Sequence, residues 1–257
     1  FHSIGKCYGW VDSALGRTVG AKTRMDLGLK GKSALISGGT HGIGLAIADR
    51  LKEEGCKTFV FGRSKDKLDA SGHEGVVYDA LEGERSEALS ALPKCDILIN
   101  NVGGGGRWGT SVLETPIEVW DHVYAKNARI AMLLTRAVLP RMVKNKWGRV
   151  VTISSIYGKE AGGRPWFNMA KSAEISLMKS LSQDKSFVRK NITFNTICPG
   201  HIHVEGKEDE KDLEALPLGR MGTVDEVASV AVFLCSKQAN LVNGACITVD
   251  GGESRSF

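Results

Sequence analysis

The segment Ser37-Gly38-Gly39-Thr40-His41-Gly42-Ile43-Gly44 follows a short apolar run, residues 33–37 (SALIS), and opens a stretch with helical periodicity. Glycines at these positions permit a tight turn and close approach of a ligand to the backbone. Free N–H groups and a positive dipole end at the helix start then suit a phosphate. The glycines alone are weak evidence; their strand–turn–helix setting is what makes them informative. A second group lies in residues 164–171, RPWFNMAK. Phe167 and Lys171 stand four apart, so a helix puts them on one face. Taken alone, that is an ordinary aromatic–lysine pair.

Short apolar runs alternate with helical patterns from residue 33 onward. Residues 42–54 place Ile43, Ala46, Ile47 and Leu51 on one face, and Gly55 stops that helix. Residues 57–61 (KTFVF), 75–78 (GVVY), 96–100 (DILIN), 149–154 (RVVTIS), 192–198 (ITFNTIC) and 245–250 (ACITVD) read as six further strands. Thr115-Pro116-Ile117-Glu118 has the pattern of a capping box with proline at the first helical position, opening one long helix towards Lys144. Thr223-Val224-Asp225-Glu226 reads the same way, opening a helix to Ser236, and another helix is expected over 166–187. Apolar strands separated by helices imply a parallel sheet covered on both faces. Right-handed crossovers make that an α/β, Rossmann-type doubly wound sheet of about seven strands. No linker interrupts residues 25–257, which read as one domain. Residues 1–24 show no clear period and read either as an upstream extension or remnant of added sequence, or as an arm packing on a neighbour.

The 257 residues are 42% hydrophobic and 25% charged, with a net charge of +5 spread along the chain. No lysine/arginine block points to nucleic acid. No apolar run approaches the ~20 residues that span a bilayer, and the first residues lack the pattern of a signal peptide. The six cysteines, Cys7, Cys56, Cys95, Cys198, Cys235 and Cys246, show no metal-ligand spacing and read as reduced packing residues in a cytoplasmic protein. No metal site is expected.

From the glycine turn onward the chain resembles the short-chain dehydrogenase/reductase family, whose fingerprint is TGxxxGIG; Ser37 replaces the usual threonine. Asn100-Asn101-Val102-Gly103 resembles the family's NNAG, Asp79 matches its adenine-contacting aspartate, and Pro199-Gly200 its PG motif. LGRMGTVDEVASVAVFL and the final VDGG resemble its C-terminal segment. The motifs keep their order and spacing across about 225 residues. The resemblance implies a nicotinamide cofactor held by Ser37, Gly38, Thr40, His41, Gly42, Ile43, Gly44, Asp79, Ala80, Asn101, Val102, Gly103, Lys171, Pro199, Gly200 and Ile202. Position 62 is glycine, so the acid that would bind a ribose 2′-OH is absent. Arg63 can pair with a 2′-phosphate and Ser64 can add a hydrogen bond. His41 sits where many NADP-using relatives carry a basic residue. NADP(H) is therefore the expected cofactor. Val204 replaces a threonine that often contacts the nicotinamide amide.

Family members use Asn, Ser, Tyr and Lys in catalysis. Asn127, Ser155 and Lys171 match three of these; Phe167 stands at the tyrosine. In such a site serine holds the carbonyl oxygen and tyrosine donates the proton. The lysine cation lowers the phenol's pKa from about 10, and asparagine positions a water. Phenylalanine keeps the ring without the O–H. Three readings follow: a deliberate tyrosine replacement that traps a ligand in an otherwise normal reductase; a natural non-catalytic relative that senses NADPH or a metabolite; or another proton donor, with Tyr157 the candidate.

Substrates of this fold bind beyond the carboxyl ends of the strands. Gly104, Arg107, Trp108, Lys159, Arg164, Trp166, His201 and His203 are the expected liners. Their cations and indoles suit a small polar or anionic carbonyl compound or alcohol. Residues 205–217 read as a short, solvated lid. The resemblance also implies a homotetramer, with the helices near 116–144 and 166–187 pairing between subunits and the last strand and C-terminal tail forming a second contact.

Overall fold

The computed structural model of the protein describes residues 25–79, 92–105, 109, 111–206 and 212–256. The expectations on residues 1–24, Ala80, Arg107 and Trp108, and on part of the lid, fall outside them. A seven-stranded sheet runs in the order β3-β2-β1-β4-β5-β6-β9, and every neighbouring pair is parallel. The strands are β1 (Ser33–Ser37), β2 (Lys57–Gly62), β3 (Glu74–Val77), β4 (Ile97–Asn100), β5 (Gly148–Ile153), β6 (Ile192–Pro199) and β9 (Cys246–Val249). The order reverses between β1 and β4, which opens a crevice at their carboxyl ends. A two-residue parallel ladder, β7 (Ile202–His203) with β8 (Gly222–Thr223), lies beside the sheet and was not legible as strands.

Alternation along each strand feeds two cores. Ala34, Ile36, Val60, Ile97, Ile99, Val151 and Ile153 face one side. There they pack on Ile47, Ala48 and Leu51 of α1 (Gly42–Glu53) and Val227, Ala231 and Leu234 of α7 (Val224–Cys235). Leu35, Phe61, Leu98 and Val150 face the other side. They meet Ile130, Leu134, Val138 and Met142 of α4 (Ile130–Asn145) and Met178 of α5 (Pro165–Leu181). The central strands are buried on both faces, which is why they read as continuous apolar runs.

Two expected helix starts differ in outcome. Thr223 caps α7 as expected, its hydroxyl accepting from Glu226 N while the Glu226 carboxylate accepts from Thr223 N. The Thr115 capping box does not form. Pro116 takes the cap position of α3 (Ile117–Tyr124), and the Thr115 hydroxyl donates to Ser111 O. Nor is the following helix continuous. A wide π turn, Ala125–Arg129, joins α3 to α4. The helix expected over 166–187 divides as well: α5 ends at Leu181, and Asp184 caps a short α6 (Lys185–Val188) by accepting from Ser186 N.

Candidate active site

β1 delivers Ser37 to the crevice and β4 delivers Asn101. The Ser37 hydroxyl accepts from the backbone N–H of Asn101 at 2.8 Å and of Val102 at 3.0 Å. Asn101 Nδ2 returns bonds of 3.1 Å to Ser37 O and Gly38 O. These four bonds fix the turn that leads into α1. Gly38 and Gly42 adopt φ of +65° and +58°, a region that favours glycine. A Cβ on Gly44 would stand 2.3 Å from Gly38 O, so α1 begins hard against the turn. The N-cap side chain of α1 makes no capping bond, as in α3, α4 and α5, whereas α7, α6 and α2 (Lys65–Ala70) each have a side-chain cap. The start of α1 lines the crevice, and its N-cap side chain does not use up the first N–H groups there.

The crevice is a groove of about 610 Å³. Gly38, Thr40, His41, Gly42 and Ile43 line one end of it, with Arg63 and Ser64 beside them. A Cβ at Gly62 would meet Thr40 Oγ1 at 2.7 Å. A side chain at position 62 would therefore have to displace that of Thr40. α2 follows, with the Ser64 hydroxyl accepting from Lys67 N at 3.3 Å. That cap turns Lys67 into the groove wall next to Arg63. Lys67 escaped the sequence reading because it looks like one of several solvated cations. Asp79, Asn101, Val102 and Gly103 continue the lining. Val204 closes the groove from above, 3.2 Å from where a Gly42 Cβ would be. From the segment after β6 the structure brings Val204 to the wall; Ile202 packs against the first core instead.

The other end of the groove carries Phe167 and Lys171, both on α5. The Lys171 ammonium is buried and sits 5.8 Å from the centre of the Phe167 ring. It donates to Ile153 O at 3.1 Å and to Glu174 Oε2 at 3.0 Å. Glu174 is equally buried, and that burial pushes its carboxyl above the usual carboxylate range, against the pull of Lys171. Asn127 lies in the π turn. Its Nδ2 donates to Val123 O at 2.7 Å and Gly104 O at 2.9 Å, and its Oδ1 accepts from Gly104 N at 3.1 Å. A Cβ on Gly103 would touch both Asn127 Oδ1 and Lys171 Nζ, at 2.6 and 2.9 Å. Asn127, Gly103 and Lys171 are therefore one packed unit.

Two serines end β5. Ser154 lines the groove, and its hydroxyl donates to Lys171 O at 2.9 Å. The Ser155 hydroxyl accepts from Tyr157 N at 3.2 Å and caps the short 3₁₀ turn Ile156–Gly158. Tyr157 is set aside from the groove lining, with its ring edge-on to His201 at 6.4 Å and against Gly162 and Gly163.

The expected substrate liners divide. Gly104 lines the groove, and Lys126, unforeseen, lines it too, its Nζ 3.8 Å from the Gly104 Cβ position. Trp166 is a correction. It is fully buried with Val123 and Ala170, edge-on to Trp120 at 5.3 Å, because the Phe167–Lys171 face of α5 turns the preceding residue inward. His201 is engaged by the Glu253 carboxylate at both its ring Nδ1 and its backbone N–H. Lys159 donates to Thr248 Oγ1 at 2.8 Å. Arg164 and His203 are exposed.

Known proteins are similar to this chain over most of its length. The family model described as enoyl-(acyl carrier protein) reductase matches residues 38–254. The chain is 32% identical over 250 residues to the 3-oxoacyl-[acyl-carrier-protein] reductase FabG of Aquifex aeolicus, covering 89% of this chain and 99% of that protein. It is 32% identical over 248 residues to dehydrogenase/reductase SDR family member 4 of Homo sapiens, covering 87% and 88%. A solved structure from Agrobacterium tumefaciens, provisionally assigned as a gluconate dehydrogenase, superposes with a TM-score of 0.82 at 26% identity. The match covers 91% of this chain and all of that one.

Proposed function

Since the chain belongs to the short-chain dehydrogenase/reductase family, a family of carbonyl/alcohol oxidoreductases, we propose that it binds NADP(H) and is built to interconvert a carbonyl and a secondary alcohol on a small polar substrate, with Phe167 at the place of the proton-donating tyrosine. One observation carries the reading: the glycine turn and the Phe167–Lys171 pair open into the same groove. The glycine cradle and the uncapped α1 fit a pyrophosphate. Arg63 and Lys67, with glycine rather than an acid at position 62, fit a 2′-phosphate. Lys126 beside Gly104 supports an anionic or polar substrate.

When bound, the nicotinamide supplies or accepts the hydride. Lys171 is placed to hold the ribose and to lend positive charge to the reacting end of the groove. In this reading Ser155, whose hydroxyl accepts from the Tyr157 amide and keeps its own O–H free to donate, holds the carbonyl oxygen. Phe167 closes the site as a ring and offers no proton. Positioned general acids contribute about 10²–10⁴ in rate, so the protein with Phe167 turns over slowly.

A second reading has one observation behind it. Lys171 is committed to Glu174 and Ile153 O, an arrangement that suits a protein which binds NADPH without turning it over. A Phe167→Tyr variant, followed by NADPH absorbance against keto acids, oxidised sugars, diketones and aldehydes, separates the two. A gain of about 10²–10⁴ supports the oxidoreductase. NADPH binding by both forms with turnover by neither supports the binding protein. Equal turnover by both overturns the role given to Phe167.

The same proposal includes a cytoplasmic homotetramer. An apolar hollow of about 400 Å³ between α4 and α5, lined by Leu139, Val143, Leu177, Leu181 and Phe187, supports helix pairing between subunits. The described cysteines are all free, which fits a reducing compartment.

A further inference from the structure

Cys198 lies near the end of β6 and Cys246 opens β9. In the register of these strands Thr196 pairs with Cys246 and Cys198 with Thr248. The two cysteines are therefore diagonal neighbours on one face of the sheet. Both thiols are free, and their sulfurs are 3.3 Å apart. The two differ in exposure: Cys198 is fully buried and Cys246 is partly open.

They also differ in acidity. The contact between the two thiols, aided by the Lys159 cation and opposed by burial, lowers the Cys246 thiol from its ordinary value. The same contact, together with burial, raises Cys198. Burial pushes the thiols of Cys56 and Cys95 up to about 12 and raises that of Cys235. A partly exposed thiol in contact with a second thiol is an arrangement that peroxide can take to a disulfide.

We propose that Cys198 and Cys246 form an oxidisable pair that a hydroperoxide, such as hydrogen peroxide, converts to a reversible disulfide beneath the segment carrying Pro199, Gly200 and Val204. The Cys246 thiolate attacks one peroxide oxygen. The O–O bond breaks, hydroxide leaves, and Cys246 becomes a sulfenic acid. The Cys198 sulfur then attacks the Cys246 sulfur, the S–O bond breaks, and a second hydroxide leaves. The two thiol protons neutralise the two hydroxides. In sum, two thiols lose two electrons and the peroxide is reduced to two waters.

A disulfide needs its sulfurs about 2.05 Å apart, so this pair must close further. Within one subunit β9 is at the sheet edge and has a strand neighbour on one side only. Closure has two direct neighbours. β6 runs from Cys198 directly into Pro199, and Lys159, in the turn after Ser155, donates to Thr248, the register partner of Cys198. This inference does not rest on the proposed cofactor or reaction.

The test uses the full chain, treated with stoichiometric hydrogen peroxide, alkylated, digested and mapped by mass spectrometry. The expected result is a Cys198–Cys246 linked peptide two hydrogens lighter than its parts, lost on treatment with dithiothreitol. In Cys198→Ser, Cys246 is expected to stop at the sulfenic acid and take up dimedone. In Cys246→Ser, Cys198 is expected to remain a thiol. Slower amide exchange over residues 200–204 in the oxidised form would support coupling to the groove. Complete alkylation of both cysteines in peroxide-treated wild type, or a link from either to a different cysteine, overturns the pair. The wild-type map decides this even if a serine variant fails to fold.

Discussion

Lys171 Nζ lies 3.0 Å from Glu174 Oε2, less than one helical turn further along α5, and both side chains are buried. The ammonium's other described partner is the backbone carbonyl of Ile153. The groove's cation is thus anchored from below by a carboxylate that does not itself line the groove. Removing that carboxylate leaves a buried charge without its counter-ion. At a pH where Glu174 is ionised, Glu174→Ala is expected to cost about 3–5 kcal/mol, the usual loss when one partner of a buried pair is deleted. Glu174→Gln keeps an acceptor of the same shape and is expected to cost less. Urea unfolding midpoints check both. A loss under about 1 kcal/mol for the alanine variant, the scale of a solvent-screened pair, would contradict the burial seen here.

The same carboxyl sets a pH dependence. Its folded-state pKa is raised by burial, while in the unfolded chain it titrates near the ordinary ~4.3. Between those values the folded state holds a proton that the unfolded state has released. The stability this contributes is present below the unfolded value and is lost as pH rises through the folded one. Wild type is therefore expected to lose stability relative to Glu174→Gln as pH climbs from about 4.3. Parallel pH–stability curves for the two proteins would show that Glu174 keeps an ordinary pKa.

The sheet was legible in the sequence because its central strands are buried on both faces and read as apolar runs between helix signals. The glycine turn was legible for the same local reason. What escaped depends on contacts that periodicity does not carry. Glu174 reads as a polar residue at an unremarkable helical position, and only the tertiary path of α5 shows that it is sealed in. The π turn at Asn127 leaves no mark in a continuous helical pattern. Thr115 has the residues of a capping box, yet its hydroxyl finds Ser111 O first. Trp166 was misplaced because an indole beside Phe167 suggested a liner, while a helix turns adjacent residues about 100° apart. Cys198 and Cys246 are 48 positions apart, and only strand register joins them.

Position 62 gives a test of cofactor choice through sterics. Gly62→Asp would place a Cβ 2.7 Å from Thr40 Oγ1. Overpacking of this kind costs about 1–3 kcal/mol. The single variant is therefore expected to melt earlier than wild type and to gain little affinity for NADH. Adding Thr40→Ala removes the obstructing hydroxyl and is expected to restore stability and let the new carboxylate meet the ribose. Melting temperatures with NADH titrations check this. Tight NADH binding by Gly62→Asp alone would mean that Thr40 is not the obstacle.

Arg63 and Lys67 test the charge side of the same question. Both line the groove next to Ser64, and Lys67 is brought there by the cap that its own N–H makes with Ser64. A hydrogen bond to a charged group contributes about 1.5–3 kcal/mol, or roughly a 10–100-fold change in affinity. Arg63→Ala and Lys67→Ala are each expected to weaken NADPH binding within that range and leave NADH binding unchanged, because NADH has no 2′-phosphate. Weakening should shrink as salt rises, since the lost contact is between opposite charges near solvent. Fluorescence titration with both nucleotides at low and high salt measures this. Equal weakening for NADPH and NADH would assign these cations to the shared pyrophosphate, and the cofactor preference would then have to come from elsewhere in the groove.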